Sequence, residues 1–330
     1  MSIRAIFGIM IAICGSLTFT RQVHAQTFTV SPTSASVSYQ SRTIPRDRAV
    51  GTIEDENPGT NMGLLTFNNV STSCVFTRTS AVSGTLVPGY TNVYQSGVPG
   101  IGVRFQHTNA LNGGFVTAPH TSTFTIPIST VGAQNYMRAS IVVTGPITTR
   151  SLTGAGPSMT LTFTNNCGLP TRSTSLTATG SPTATFTAQT CSVTTPNVNV
   201  TLPSIPATSL RPVGTAGGNQ SFSIALNCAT AGLIVGITLT DSSDPANRTD
   251  LLGLMPASTA QGVKLRVSRS GTPVAFGADS AVAGNPNQII LTTSANAGTP
   301  NFVFATQYVS TGTVVPGSVN ARATFTMSYQ

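Results

Sequence analysis

Gln134, Asn135 and Tyr136 place two planar amides and a phenol ring in three consecutive residues. Amides, carboxylates and hydroxyls exchange hydrogen bonds with ligand hydroxyls, and a ring face covers apolar C–H surface. The triplet therefore suits recognition of a polyhydroxylated ligand such as a sugar. Asp55, Glu56, Asn57, Tyr90, Asn92, Tyr94, Gln106, Asn109 and Asn112 supply the same side-chain types in other loop-like segments. Each alone reads more readily as an ordinary turn residue or satisfied surface group. The binding candidates are Gln134, Asn135 and Tyr136 first, with Tyr90 and Tyr94 beside them, in a chain that has no Trp.

Catalysis finds little to work with. The acids are Asp47, Glu54, Asp55, Glu56, Asp241, Asp244, Asp250 and Asp279, and there is no nucleophile elbow, phosphate loop or HExxH motif. In Glu54-Asp55-Glu56, neighbouring strand residues would point to opposite faces, and the spacing is wrong for a calcium loop. His107 and His120, thirteen positions apart, lack local metal-ligand spacing and read as buried or loop histidines. The expectation is a non-enzyme with no cofactor and no metal.

The formal charge of +8 is spread thinly over arginines. The one basic cluster, Arg42, Arg46 and Arg48, is interrupted by Asp47, and it lacks the interleaved aromatics of a nucleic-acid surface. No nucleic-acid partner is expected.

Residues 1–25 read as a secretory signal: Arg4, an apolar run from Ala5 to Phe19, then Val23-His24-Ala25 with small residues where a signal peptidase reads. The run is too short to cross a bilayer. Removing this segment takes Cys14 with it and leaves Cys74, Cys167, Cys191 and Cys228, an even number that in an exported chain favours disulfides. Four cysteines allow three pairings. The simplest keeps Cys74 with Cys167 and Cys191 with Cys228, and no pair has zinc-site spacing.

The elements that must carry these residues are strands. Only 7% of the chain is charged, Thr, Ser, Gly and Asn abound, and no convincing amphipathic helix is found. Thr and Val favour strands, while Gly, Pro and Asn supply turns. Strand-like runs are expected at 63–67, 74–77, 98–105, 121–128, 136–143 and 158–164. Others fall at 185–189, 197–202, 220–226, 233–240, 262–267, 288–291 and 302–308. The stretch 168–182 lacks periodicity and reads as a linker. The length suits two domains. The expected partition is a signal at 1–25, a first sandwich at 26–170, a linker at 171–183 and a second sandwich at 184–330.

The last fourteen residues, from Gly317, alternate most regularly. Val319, Ala321, Ala323, Phe325, Met327 and Tyr329 share one face, and Asn320, Arg322, Thr324, Thr326, Ser328 and Gln330 share the other. Such a strand presents a row of N–H and C=O groups for pairing, an edge that natural proteins seldom leave unmanaged.

From Cys191 onward the chain resembles the pilin domain of chaperone–usher fimbriae. The resemblance rests on the opening Cys-Ser-Val, Pro196 and the run 198–202, the second cysteine in Ser221-Phe222-Ser223-Ile224-Ala225-Leu226-Asn227-Cys228, Gly317, and the penultimate Tyr329. It implies an incomplete immunoglobulin-like sandwich lacking its last strand, with Val319, Ala321, Ala323, Phe325 and Met327 lining the groove left behind. A periplasmic pilus chaperone would fill that groove, with Tyr329 and the Gln330 carboxylate in its docking site. At the outer-membrane usher, the N-terminal strand of the next fimbrial subunit would replace it. A shaft pilin has only a short donor extension, whereas here a whole domain precedes the pilin part. That departure resembles two-domain fimbrial tip adhesins, whose first domain binds a host-surface glycan or glycoprotein.

Within the first domain, 98–105 and 144–147 are similar to stretches of minor fimbrial adhesins, but the pocket of the mannose-binding type 1 tip adhesin is not found. The function expected is that of a tip adhesin, secreted through the periplasm to the cell surface. The alternative is a structural minor pilin or adaptor that caps or initiates the fibre.

Overall fold

A computed structural model describes residues 25–56, 60–108 and 113–330. The expected signal, apart from Ala25, lies outside them, as do Asn57, Asn109 and Asn112. Apart from a 3-10 turn at Ala207–Leu210, every helix or strand among the described residues is a β-strand. The fold is all-β.

The first half contains β1 (Thr27–Ser31), β2 (Ser34–Ser38), β3 (Arg42–Pro45), β4 (Ile53–Glu56), β5 (Thr60–Asn68), β6 (Val75–Ser83), β7 (Tyr94–Gln95), β8 (Ile101–Thr108), β9 (Phe115–Thr117), β10 (His120–Thr125), β11 (Val131–Val143), β12 (Arg150–Asn165) and β13 (Arg172–Gln189). One sheet runs β1-β5-β11-β8-β7, with β4 also on β11 and β9 also on β8. The other runs β10-β6-β12-β13-β2, with β3 also on β13.

Period-two alternation builds the core between them. In β12, Met159, Leu161 and Phe163 are fully buried, while Thr160 and Thr162 turn outward and are only partly covered. Phe28 stacks on Phe67 at 4.9 Å and meets Phe76 edge-on at 5.2 Å. Burying each such ring is worth about 2–3 kcal/mol before entropy is counted. The disulfide Cys74–Cys167 staples adjacent strand ends, where β6 begins and β12 has just finished.

The expected linker at 171–183 is instead most of β13. Leu176, Ala178, Ala184 and Phe186 bury on one face, and 175–179 pair in parallel with β2. Ser and Thr on the outer face gave the stretch its linker-like composition, but Thr is a good strand former. Gly180 serves close packing here, since a Cβ would strike the backbone of Leu152. The run 185–189, expected in the second sandwich, completes β13, so the junction falls at Thr190.

The second half contains β14 (Cys191–Val193), β15 (Ala216–Cys228), β16 (Leu233–Asp241), β17 (Gln261–Arg269), β18 (Thr272–Pro273), β19 (Ile289–Ala295), β20 (Asn301–Val315) and β21 (Ala323–Tyr329). A sheet β14-β15-β20-β17-β18 shares a core with a smaller sheet β19-β16-β21. The disulfide Cys191–Cys228 joins β14 to the end of β15.

Two expectations change in this half. The run 197–202 is not a strand, because it has no ladder partner, yet Val198 and Leu202 are half-buried against the core. The terminal ladder covers only Ala323–Tyr329. Before it, Met255 N–H bonds to Asn320 C=O at 2.7 Å and Thr259 N–H to Ser318 C=O at 3.0 Å. Gly317 begins this stretch, and a Cβ there would collide with the main chain of Thr259 and Ala260.

Candidate functional site

Strand alternation divides the Gln134-Asn135-Tyr136 triplet. All three lie on β11, not in a loop, so Gln134 and Tyr136 face outward and Asn135 faces the core. Tyr136 is 38% exposed, whereas Asn135 is fully buried. The Asn135 amide cannot reach an external ligand, which corrects its place among the candidates. It joins Arg78 and His107 among the fully buried polar residues. Burial pushes the His107 imidazole down to about 4, opposed by its bond to Thr108 C=O and assisted by nearby Arg78 and His120. His107 is therefore neutral near pH 7.

Tyr94 is also corrected. It is 6% exposed, part of the hydrophobic core, and its phenol pKa is raised by burial. Pairing places Tyr94 level with Val103 and Ile141, whereas Tyr136 lies beyond the Met137–His107 pair. At roughly 3.3 Å per residue, that separates Tyr94 from Tyr136 by about 15 Å along the sheet. Tyr90 precedes β7 and is half-buried. The two candidate groups do not form one site.

What the fold gathers around Tyr136 is different. Arg138, two residues on, shares its outward face. Its Nε donates to Gln106 Oε1 at 2.8 Å, and its guanidinium lies 4.1 Å over the Phe115 ring. Gln106 Nε2 in turn donates to Thr117 Oγ1 at 3.2 Å. Strands β11, β8 and β9 thus present a tyrosine, a glutamine and an aromatic-backed guanidinium on one surface. Arg138, Phe115 and Thr117 were missed from sequence. The Tyr136/Arg138 spacing was a usable signal, but the partners come from separate strands.

No group of three or more His, Cys, Asp or Glu that could hold a metal gathers among the described residues. Among the described residues, one open concavity is lined by Thr33, Thr160 and Arg172, and another by Thr292, Asn296 and Phe302.

The second feature is the outer edge of β21. This strand pairs with β16 on one side only. Gln330 and Ile234 exchange both main-chain hydrogen bonds at 2.8 Å. By antiparallel alternation, Ala323, Phe325, Met327 and Tyr329 turn their N–H and C=O groups the other way. Their side chains, with Val319 and Ala321, line the core margin. Met327 is 6% exposed, and Val319, Ala321, Ala323 and Phe325 are half-buried. Tyr329, expected in a docking site, is 2% exposed beneath Arg46, whose guanidinium lies 5.0 Å from the ring. Burial pushes its phenol up to about 12, with Arg46 pulling the other way. Gln330 is half-buried, and its amide reaches Gln288 Oε1 at 3.0 Å.

Comparison with known proteins matches residues 177–330 to the family model of fimbrial proteins. The F17c-G fimbrial adhesin of Escherichia coli is 43% identical over 148 residues, which cover 44% of this chain and 43% of that protein. The chain thus spans less than half the length of the first curated relatives it matches. A fimbria adhesin protein of Klebsiella pneumoniae is 28% identical over 206 residues, covering 59% of this chain and 60% of that one. The crystal structure of the CupB6 tip adhesin from Pseudomonas aeruginosa aligns with 92% of this chain and 93% of its own at 16% identity, with a TM-score of 0.37.

Over its second half the chain is similar in sequence to fimbrial proteins, fimbrial adhesins among them. The match to the fimbrial protein family covers residues 177–330.

Proposed function

We propose that the protein is a non-catalytic fimbrial tip adhesin, whose first sandwich (residues 26–189) binds a host-surface glycan or glycoprotein and whose second joins the fibre by strand complementation. The observation that carries this reading is the edge of β21 on a fimbrial-family domain. Half-buried Val319, Ala321, Ala323 and Phe325 lie on one side, and unpaired Val198 and Leu202 are another half-buried part of the core margin. Apolar side chains left half-covered beside a free ladder edge are what an added strand would complete. During export the occupant is a periplasmic chaperone, and at the usher it is the N-terminal strand of the next subunit. The protein then stands at the tip of a surface fimbrium.

The receptor surface is the outward patch of Tyr136, Arg138, Gln106 and Phe115, with Gln134 beside it. A glycan array probed with the full chain, stabilised by an added donor strand, tests this. Binding lost in Tyr136→Ala supports the adhesin. A silent array, together with normal host-cell attachment by a deletion strain, would favour a subunit that merely caps or initiates the fibre.

A further inference from the structure

The outer edge of β21 is not open along its whole length. Asp47 N–H donates to Tyr329 C=O at 2.8 Å, and the Asp47 carboxylate accepts from Tyr329 N–H at 2.9 Å. Arg46 Nη2 donates to Met327 C=O at 3.0 Å while its guanidinium covers the Tyr329 ring. Three of the main-chain groups that an added strand would use are thus already occupied, by residues of the other sandwich.

The occupying segment is firmly mounted. Arg46 N–H bonds to Gln189 C=O at 3.0 Å, and Arg46 C=O accepts from Ile147 N–H at 2.8 Å. Arg46 also grips Asp47 at both carboxylate oxygens, with Nη2 to Oδ2 at 2.7 Å. Asp47 is 6% exposed, and its carboxylate is met by the Arg46 guanidinium and the Tyr329 N–H. By contrast, the outward N–H and C=O groups of Ala323 and Phe325 have no partner among the described residues.

We propose that Arg46 and Asp47 form an intramolecular stop at the Tyr329 end of this edge. A strand can pair freely with Ala323 and Phe325, but it can reach Tyr329 only by lifting the first sandwich off the second. Occupancy of the full edge and the docked posture of the first sandwich are therefore mutually exclusive. Each weakens the other by the same factor, as linkage requires. This rests on the strand-acceptor reading above.

The test uses the full chain and a lysine-flanked peptide of alternating valine and threonine. Two readouts are taken: amide hydrogen exchange at Tyr329, and the peptide's association rate. In Asp47→Ala, exchange at Tyr329 should quicken about tenfold or more, as loss of a charge-assisted bond implies. The Ser328 and Gln330 amides, held by β16, should not change. Peptide association should also quicken. Arg46→Ala, which leaves the carboxylate in place, should quicken association with a smaller change at Tyr329. Equal Tyr329 exchange in wild type and Asp47→Ala overturns the stop. Equal association rates with exchange altered overturn its gating role alone. A peptide bound by neither protein overturns the strand-acceptor reading, and the gating role with it.

Discussion

Arg138 lies between Gln106 and Phe115, bonded to the first at 2.8 Å and stacked on the second at 4.1 Å. The guanidinium is thereby held in place on the outward face that Tyr136 shares. If this patch binds a receptor, Arg138→Gln should weaken binding by about tenfold, or about 1.4 kcal/mol. As a half-exposed residue it should change stability by no more than about 1 kcal/mol. Binding isotherms paired with urea melts check both, and unchanged affinity removes the patch from consideration.

His107 makes the first sandwich acid-sensitive. Its folded pKa, about 4, lies below the usual 6.5. Between those values the unfolded chain takes up a proton that the folded one refuses, so stability falls as pH drops through the window. Going from pH 7 to pH 5 should cost about 2 kcal/mol. His107→Leu should flatten that slope, and an unaltered slope in urea melts would assign the acid sensitivity elsewhere.

Asp241 should behave as a buried loop anchor for the second sandwich. Burial alone would raise its pKa, but bonds from Gly253 N–H at 3.0 Å, Ser243 Oγ at 2.7 Å, Asn247 Nδ2 at 2.9 Å and Ser243 N–H at 2.8 Å hold it below the usual range. Its contribution is therefore present above the ordinary carboxylate pKa and lost as pH falls through the lowered one. Asp241→Asn should destabilise by about 2–3 kcal/mol at pH 7. The gap from wild type should close on acidification. A gap independent of pH would show that shape, not charge, matters at this position.

Supplying a strand to the β21 edge should complete the second core. An alternating apolar strand fused to the chain covers Val319, Ala321 and Phe325, and a gain of a few kcal/mol raises the melting temperature by about 10 °C. Calorimetry decides this. No rise would argue that the half-buried walls do not form an acceptor groove.

Much of the architecture was legible because alternation is local. Met159, Leu161 and Phe163 announce their own core face, whatever strand lies beside them. In 171–183 the same alternation was hidden by small residues, since Ala178 and Leu176 among Ser and Thr carry little hydrophobic contrast. The candidate site was legible only in part. Tyr136 was found by type, but the opposite orientations of Asn135 and Tyr136 follow from their being on a strand with one buried face. Arg138 acquires its role from Gln106 and Phe115, which chain distance conceals.

The sequence by itself determined the all-β class, the alternating faces of most strands and the half-apolar final strand. These depend on side-chain type at spacing two, and the backbone pleat converts that directly into faces. The tertiary structure alone decided which strands are neighbours, that β13 closes the first sandwich, and that Asp47 meets Tyr329 across 282 positions. Many Thr-rich strands of similar pattern could pair locally. Only the packing of whole cores, and the requirement that buried polar groups find partners, selects among them.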